Sequence, residues 1–164
     1  MRFLKDVLYT DTFLIKGHAD TGERRLSSFL NNTRKRFIEV EEATLFRHDG
    51  GERIPSSRMD VNIRDILFAH ESEDTGDEVL RNLAKQKRDE IGMTAYFSST
   101  TPLQLSGRIH KSAFDSDPQR RHDFIVVVQP EFQGLPGNTT SEYELLRNLD
   151  YVIVNRDRLA FIFQ

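Results

Sequence analysis

The sequence predicts a mainly β protein with one or two helices, built as tandem small β-barrel repeats packed together. Three observations point there. Two stretches carry the same succession of features, and short runs of strand formers alternate with turn signals. The chain of 164 residues also has room for two units of roughly 70–80 residues, yet no cysteine to staple either one. Small barrels that lack disulfides must be held by packing on each other or on a partner.

The first stretch runs Leu14-Ile15-Lys16-Gly17, Arg25-Leu26-Ser27-Ser28-Phe29, Phe37-Ile38-Glu39-Val40, Leu45-Phe46, then Val61-Asn62 with Ile66 and Phe68. The second runs Leu105-Ser106-Gly107, Lys111-Ser112-Ala113-Phe114, Phe124-Ile125-Val126-Val127, Glu131-Phe132, then Val154-Asn155 with Leu159 and Phe161. The spacing between equivalent positions drifts by a few residues, as loop-length differences require. Val61-Asn62-Ile63-Arg64-Asp65 beside Val154-Asn155-Arg156-Asp157-Arg158 is the best-matched segment.

Element by element, Met1–Lys16 is apolar but interrupted by Lys5, Asp6 and Asp11, so it makes no continuous core of an export signal. Phe37–Phe46 reads as a strand with Ile38, Val40, Thr44 and Phe46 on one face and Glu39 and Glu41 on the other. His48-Asp49-Gly50-Gly51-Glu52 is a turn. Arg58–His70 is a further strand or hairpin, bending near Asn62-Ile63-Arg64-Asp65. Glu71-Ser72-Glu73-Asp74 opens a polar connector, and Thr75-Gly76-Asp77-Glu78 resembles a capping box. Val79, Leu80, Leu83, Lys87 and Ile91 follow helical spacing from there, with Gly92 as the stop. In the second half, Phe124–Val128 is a strand buried on both faces or ending at Pro130. Ser141-Glu142-Tyr143-Glu144 caps a second helix carrying Leu145, Leu146 and Leu149, and Tyr151–Val154 with Leu159–Phe163 closes the chain as a strand pair. The expected organisation is a first β unit over 1–72, an amphipathic connecting helix over 73–92 and a second β unit over 93–164.

An apolar-x-Gly strand, Phe29-Leu30-Asn31, a long strand pair and then Val61-Asn62-Ile63-Arg64-Asp65-Ile66 resemble the order of elements in Sm-like proteins, which are small barrels of SH3-like type. Phe29-Leu30-Asn31 matches part of that family's first signature, and Ile63-Arg64-Asp65-Ile66 part of the second. The resemblance spans about residues 12–70 and, more loosely, 96–164. Asp65 stands where glycine is usual, and Phe114-Asp115-Ser116 replaces Phe-Leu-Asn in the second stretch. The Arg-Leu-Ser-x-Phe-Leu-Asn segment also looks like one found in bacterial domains without an assigned activity. The Sm-like resemblance implies ring or pseudo-ring assembly by strand pairing, and RNA contact.

Function is constrained mostly by exclusion. A net charge of −3 gives the whole chain no bias toward nucleic acid. Arg24, Arg25, Arg34, Lys35 and Arg36 nevertheless flank Phe29 and Asn31, and are the candidate nucleic-acid-binding set; cations would meet phosphates and Phe29 would stack a base. Arg108, His110, Lys111, Arg120, Arg121 and His122 are their counterparts, diluted by Asp115, Asp117 and Asp123. Asn62, Arg64 and Asp65, with Asn155, Arg156 and Asp157, recur at matching bends, either to present polar groups to a ligand or to bond nearby backbone. An arginine pair invites a cyclic-dinucleotide reading, but the Asp/Asn-x-Ser-x-x-Gly segment of PilZ domains does not occur. The five histidines have no metal-ligand spacing, Glu39, Glu41 and Glu42 fit a wet strand face, and no nucleophile elbow or phosphate-binding glycine loop occurs. No catalytic residue, cofactor or metal is expected. The sequence reading is a non-catalytic, cytoplasmic assembly or binding module acting by homo-oligomerisation through strand edges or by binding a protein partner. RNA binding through Arg24–Arg36 and a ligand-binding regulatory domain are the alternatives.

Overall fold

A computed structural model describes residues 5–71, 89–114, 123–137 and 141–163. The first half runs β1 (Asp6–Thr10), β2 (Phe13–Ala19), α1 (Leu26–Asn32), β3 (Phe37–Arg47), β4 (Ile54–Asn62), a 3-10 turn (Ile63–Asp65) and β5 (Ile66–His70). The second runs β6 (Glu90–Phe97), β7 (Gln104–His110), a 3-10 turn (Lys111–Phe114), β8 (Phe124–Gln133), α2 (Ser141–Leu146), β9 (Tyr151–Asn155), a 3-10 turn (Arg156–Arg158) and β10 (Leu159–Phe163).

All these strands join one antiparallel ten-stranded sheet in the order β10-β6-β7-β8-β9-β5-β1-β2-β3-β4. The ladders therefore draw one open sheet instead of two separate closed barrels. Within it the first half reads β5-β1-β2-β3-β4 and the second β10-β6-β7-β8-β9, the same order twice. The halves meet where β5 pairs with β9, Phe68 opposite Val154 and Ala69 opposite Ile153. Neither β4 with β5 nor β9 with β10 forms the hairpin or strand pair that the sequence suggests. Asn62 and Asn155 instead accept a bond from the backbone N–H of Arg64 and Asp157, starting 3-10 turns that carry the chain away to a different neighbour.

A bulge recurs in each half. Gly17 lies opposite the Glu42-Ala43 step and Gly107 opposite Gln129-Pro130, where the ladders shift register. Glu42 and Gln129 both take positive φ there, at 47° and 51°. A Cβ on Gly17 would lie 2.6 Å from Val40 Cγ1, and one on Gly107 2.5 Å from Val127 Cγ1, so both positions require glycine. The bulge corrects the expected alternation in β3. Ile38 and Val40 face one core, but the extra residue moves Ala43 onto that face and sends Phe46 to the other. It also lets β8 continue through Pro130, which sits in the bulge where no ladder N–H is needed.

Two apolar clusters flank the sheet. One gathers Leu8, Ile15, Leu26, Leu30, Ile38 and Val40 with Tyr151 and Ile153. The other gathers Phe68, Leu105, Ile125, Val127, Val152 and Val154 with Tyr143 and Leu146 of α2. Alternate residues of β1 and β9 enter different clusters and β5 supplies residues to both, so these strands are buried on both faces. Helix α1, unforeseen in the sequence, buries Leu26 and Leu30 and lacks a side-chain cap of its own; Glu71, just past β5, accepts from the Leu26 N–H. The connecting helix expected over 73–92 falls largely on 72–88, outside the described residues. Its expected end at Ile91 and Gly92 is instead strand β6, whose Ile91 pairs with Ile109. The second helix stops at Leu146, short of Leu149.

Candidate functional site

Two places are candidates, the outer edges of the sheet and a groove at the seam between the halves. Among the described residues, β4 has only β3 as a strand neighbour and β10 only β6. The exposed large apolar side chains collect near these ends. Phe161 (54 % exposed) and Phe163 (57 %) lie on β10, Ile54 (45 %) on β4, and Phe37 (47 %) opposite Asn62 of β4; Leu145 on α2 is the exception. Tyr96 packs beside both phenylalanines, with ring centroids 5.2 and 6.3 Å away.

Phe161 and Phe37 have counterparts inside the molecule. Phe161 lies opposite Tyr96 as Phe68 lies opposite Tyr9. Phe37 lies opposite Asn62 as Phe124 lies opposite Asn155. The inner members are covered: Phe68 is 0 % and Phe124 4 % exposed. Phe68 stacks on Tyr9 with centroids 4.4 Å apart and meets Phe132 at 4.6 Å. A groove of about 520 Å³ borders β4, and its apolar lining includes Ile15, Leu45, Met59 and Val61. The corresponding residues of the second half are Leu105, Phe132, Val152 and Val154, which surround Phe68.

The seam is fastened by polar bonds as well. Asn31 on α1 donates through Nδ2 to the Phe124 carbonyl at 2.9 Å and accepts from the Phe124 N–H at 2.8 Å. Asn155 is buried and donates to the Ile66 carbonyl at 2.9 Å. Beside them a groove of about 370 Å³ is lined by Arg34, Lys35, Arg36, Arg64, Asp123 and Asp157, among others. None of those four cations makes a salt bridge among the described residues.

The structure thus brings Arg34, Lys35 and Arg36 of the predicted basic set together with Arg64, Asn155 and Asp157 of the predicted bends. Arg24, Arg25, Phe29 and Asn31 do not line that groove. Arg24 is exposed before α1, Arg25 precedes its first turn, Phe29 is half-buried against the core, and Asn31 is committed to Phe124. Arg156 donates to the Ala113 carbonyl, and Asp65 is exposed. Of the second basic set, Arg108 pairs with Glu90 and His110 bonds Ser112, whereas Arg120, Arg121 and His122 fall outside the described residues. Sequence reasoning missed Phe161, Phe163 and Ile54; the signal was the Phe-Ile-Phe run of β10.

Two half-buried imidazoles are also perturbed. His48 donates from Nε2 to the Thr10 carbonyl at 2.8 Å, so Nδ1 is the acceptor for the Tyr143 hydroxyl at 2.7 Å. Burial holds its pKa below the ordinary value and pushes the Tyr143 hydroxyl up to about 12. This neutral, doubly bonded ring fastens α2 onto β1 and β3. His70 on β5 donates from Nδ1 to the Tyr151 carbonyl at 3.1 Å, and burial lowers its pKa too. Glu39 pairs with Arg58, and Glu42 lies 3.6 Å from His18, so these carboxylates diverge. Among the described residues no group of three or more His, Asp or Glu is placed to hold a metal ion, and no helix is long and apolar enough to cross a membrane.

No protein-family model matches the chain, and no curated protein or solved structure matches it either.

Proposed function

We propose that the chain is a non-catalytic assembly module made of two related units of SH3-like or Sm-like type, and that it acts by pairing its outer strand edges with another strand. One observation carries this reading: the inner joint β5–β9 is made from strands whose counterparts, β10 and β4, end the sheet with one neighbour each among the described residues. An exposed edge offers a row of unpaired N–H and C=O groups, and its natural complement is a further strand. The apolar residues near these ends give such a contact a hydrophobic contribution. Light scattering across a dilution series tests it. Concentration-dependent assembly is expected, and Phe161→Glu, which puts a charge on an exposed position, shifts the chain to monomer with its circular dichroism unchanged. A strict monomer at every concentration overturns the proposal.

A second reading has its own observation, the gathering of Arg34, Lys35, Arg36 and Arg64 around the seam groove. Cations at a concave surface, with no salt bridge among the described residues, suit the phosphates of single-stranded RNA. Retention of mixed RNA in low salt, lost on raising the salt and lost in the Arg34→Glu, Lys35→Glu, Arg36→Glu variant, supports it. No retention even in low salt removes it.

A further inference from the structure

We infer that a groove beside His48 is a binding site for a small planar aromatic cation, which stacks on the outer face of the imidazole and sets its positive charge against Asp11. This site is separate from the sheet edges: among the described residues, none that lines it belongs to β4 or β10.

An aromatic column crosses the seam and ends at this groove. Phe132 of β8 lies 4.6 Å from Phe68 of β5, Phe68 lies 4.4 Å from Tyr9 of β1, and Tyr9 lies 4.3 Å from His48, measured between ring centroids. The successive planes are inclined by 30°, 14° and 21°, so each ring largely faces the next. His48, just past β3, is the last ring. One face rests on Tyr9, and both ring nitrogens are committed, Nε2 to the Thr10 carbonyl and Nδ1 to the Tyr143 hydroxyl. The opposite face is what remains to line the groove. A stack that ends on an open π-face offers a further ring a place at similar spacing, and a cation gains most from that face.

The groove measures about 510 Å³, within the range of small-molecule sites. Phe13 and Pro136 give it apolar walls, and the loops that border it are tied together. Asp11 accepts from the Thr100 N–H at 2.8 Å and from the Thr100 hydroxyl, which joins the β1–β2 turn to the β6–β7 loop. Gly134, past the end of β8, packs on the same loop, where a Cβ would lie 2.1 Å from the Pro102 carbonyl oxygen. Charge selects the ligand. Arg47 is neutralised by Asp49 at 2.6 Å, whereas Asp11 makes no ion pair among the described residues. A carboxylate has about four acceptor sites, so the Thr100 bonds leave Asp11 able to accept from the N–H groups of a cation. An anion of the same shape meets an uncompensated negative charge instead.

Benzamidine, an aromatic ring bearing a planar cation, is the probe. Titrated into the intact chain, it is expected to bind saturably in calorimetry and to move the His48 ring protons upfield in NMR spectra. Benzoate keeps the shape and reverses the charge, and acetamidine keeps the charge and lacks the ring; each is expected to bind at least about tenfold more weakly. Asp11→Asn retains an acceptor and a donor for Thr100, and is expected to weaken benzamidine binding at least about tenfold. Thr101→Arg, at an exposed position on the groove, is expected to weaken it too, with circular dichroism unchanged. The inference is overturned if benzamidine produces no saturable shift at His48, or if benzoate or acetamidine binds as tightly. Wild-type affinity in folded Asp11→Asn or Thr101→Arg overturns it equally.

Discussion

At the inner joint, β5 and β9 bring Phe68, Ala69, Ile153 and Val154 together, none of them more than 1 % exposed. At the outer edges the corresponding residues are Phe161, Ile162, Asp60 and Val61, and the β4 side also presents Arg58 where β9 has the buried Tyr151. The backbone slots match, but their chemistry differs. A wholly apolar joint is permanent because separating it exposes large area to water at about 25 cal/mol per Å². The outer edges keep Phe161 on one side but carry Asp60 and Arg58 on the other, which leaves a polar rim. On the assembly reading proposed above, the inner joint is the fixed contact and the outer edges are the reversible one.

The largest effect that separates the two regions comes from their phenylalanines. Phe68→Ala removes a ring packed on Tyr9 and Phe132 and is expected to cost about 3–5 kcal/mol in urea denaturation. Phe161→Ala at matched low concentration is expected to stay within about 0.5 kcal/mol. Equal losses would mean that the outer ring is already covered within the monomer.

Next come the bulge glycines, which compare the two halves directly. Gly17→Ala and Gly107→Ala each force a Cβ against a valine methyl and a backbone carbonyl, and are expected to cost about 1–3 kcal/mol each. Gly92→Ala, with nothing within 4 Å of its added carbon, is expected to be neutral or slightly stabilising. Similar losses at 17 and 107 in a thermal melt would show that the two bulges are used alike. A neutral Gly107→Ala would break the equivalence.

The smallest effect is on pH dependence. His70 on β5 has Phe163 as its outer counterpart, so of the two only the inner joint carries an imidazole. Burial holds His70 and His48 below their ordinary value of 6.5. Below that value the unfolded chain binds protons that the folded chain resists. The contribution of both rings is therefore complete above about pH 6.5 and is lost as pH falls toward the folded values. Tm is expected to fall between pH 7 and pH 5, and His70→Gln to flatten part of that slope. A Tm independent of pH over this range would refute the neutral assignment.

The parts of this molecule that were legible in the sequence are those governed by local pattern. The strands around Phe37–Arg47 and Phe124–Gln133 and the Asn62 and Asn155 bends follow from alternation and turn chemistry. Helix α1 was not legible. Leu26–Asn32 is short and uncapped by its own side chains, and it is held by Glu71 and Phe124, partners that lie far along the chain. The face switch in β3 was hidden for a similar reason, since it depends on Gly17 in a different strand. The basic cluster was visible as composition, but only folding separates Arg34, Lys35 and Arg36, which line the seam groove, from Arg24 and Arg25, which do not. The exposure of the β10 phenylalanines was not legible either, because sequence pattern reports apolarity and not which strand ends the sheet.

The clasp of Asn31 on Phe124 has a consequence for how the chain is made. A ribosome delivers α1 and β5 well before their seam partners; His70 waits for Tyr151, 81 residues downstream. During that interval the β5 edge and the Asn31 amide have no seam partner to bond. The nascent first half passes through a stage at which its most apolar strand edge is open to any neighbouring nascent chain. Completion of β9 ends that exposure, and the order of synthesis makes the second half, in effect, a built-in chaperone for the first.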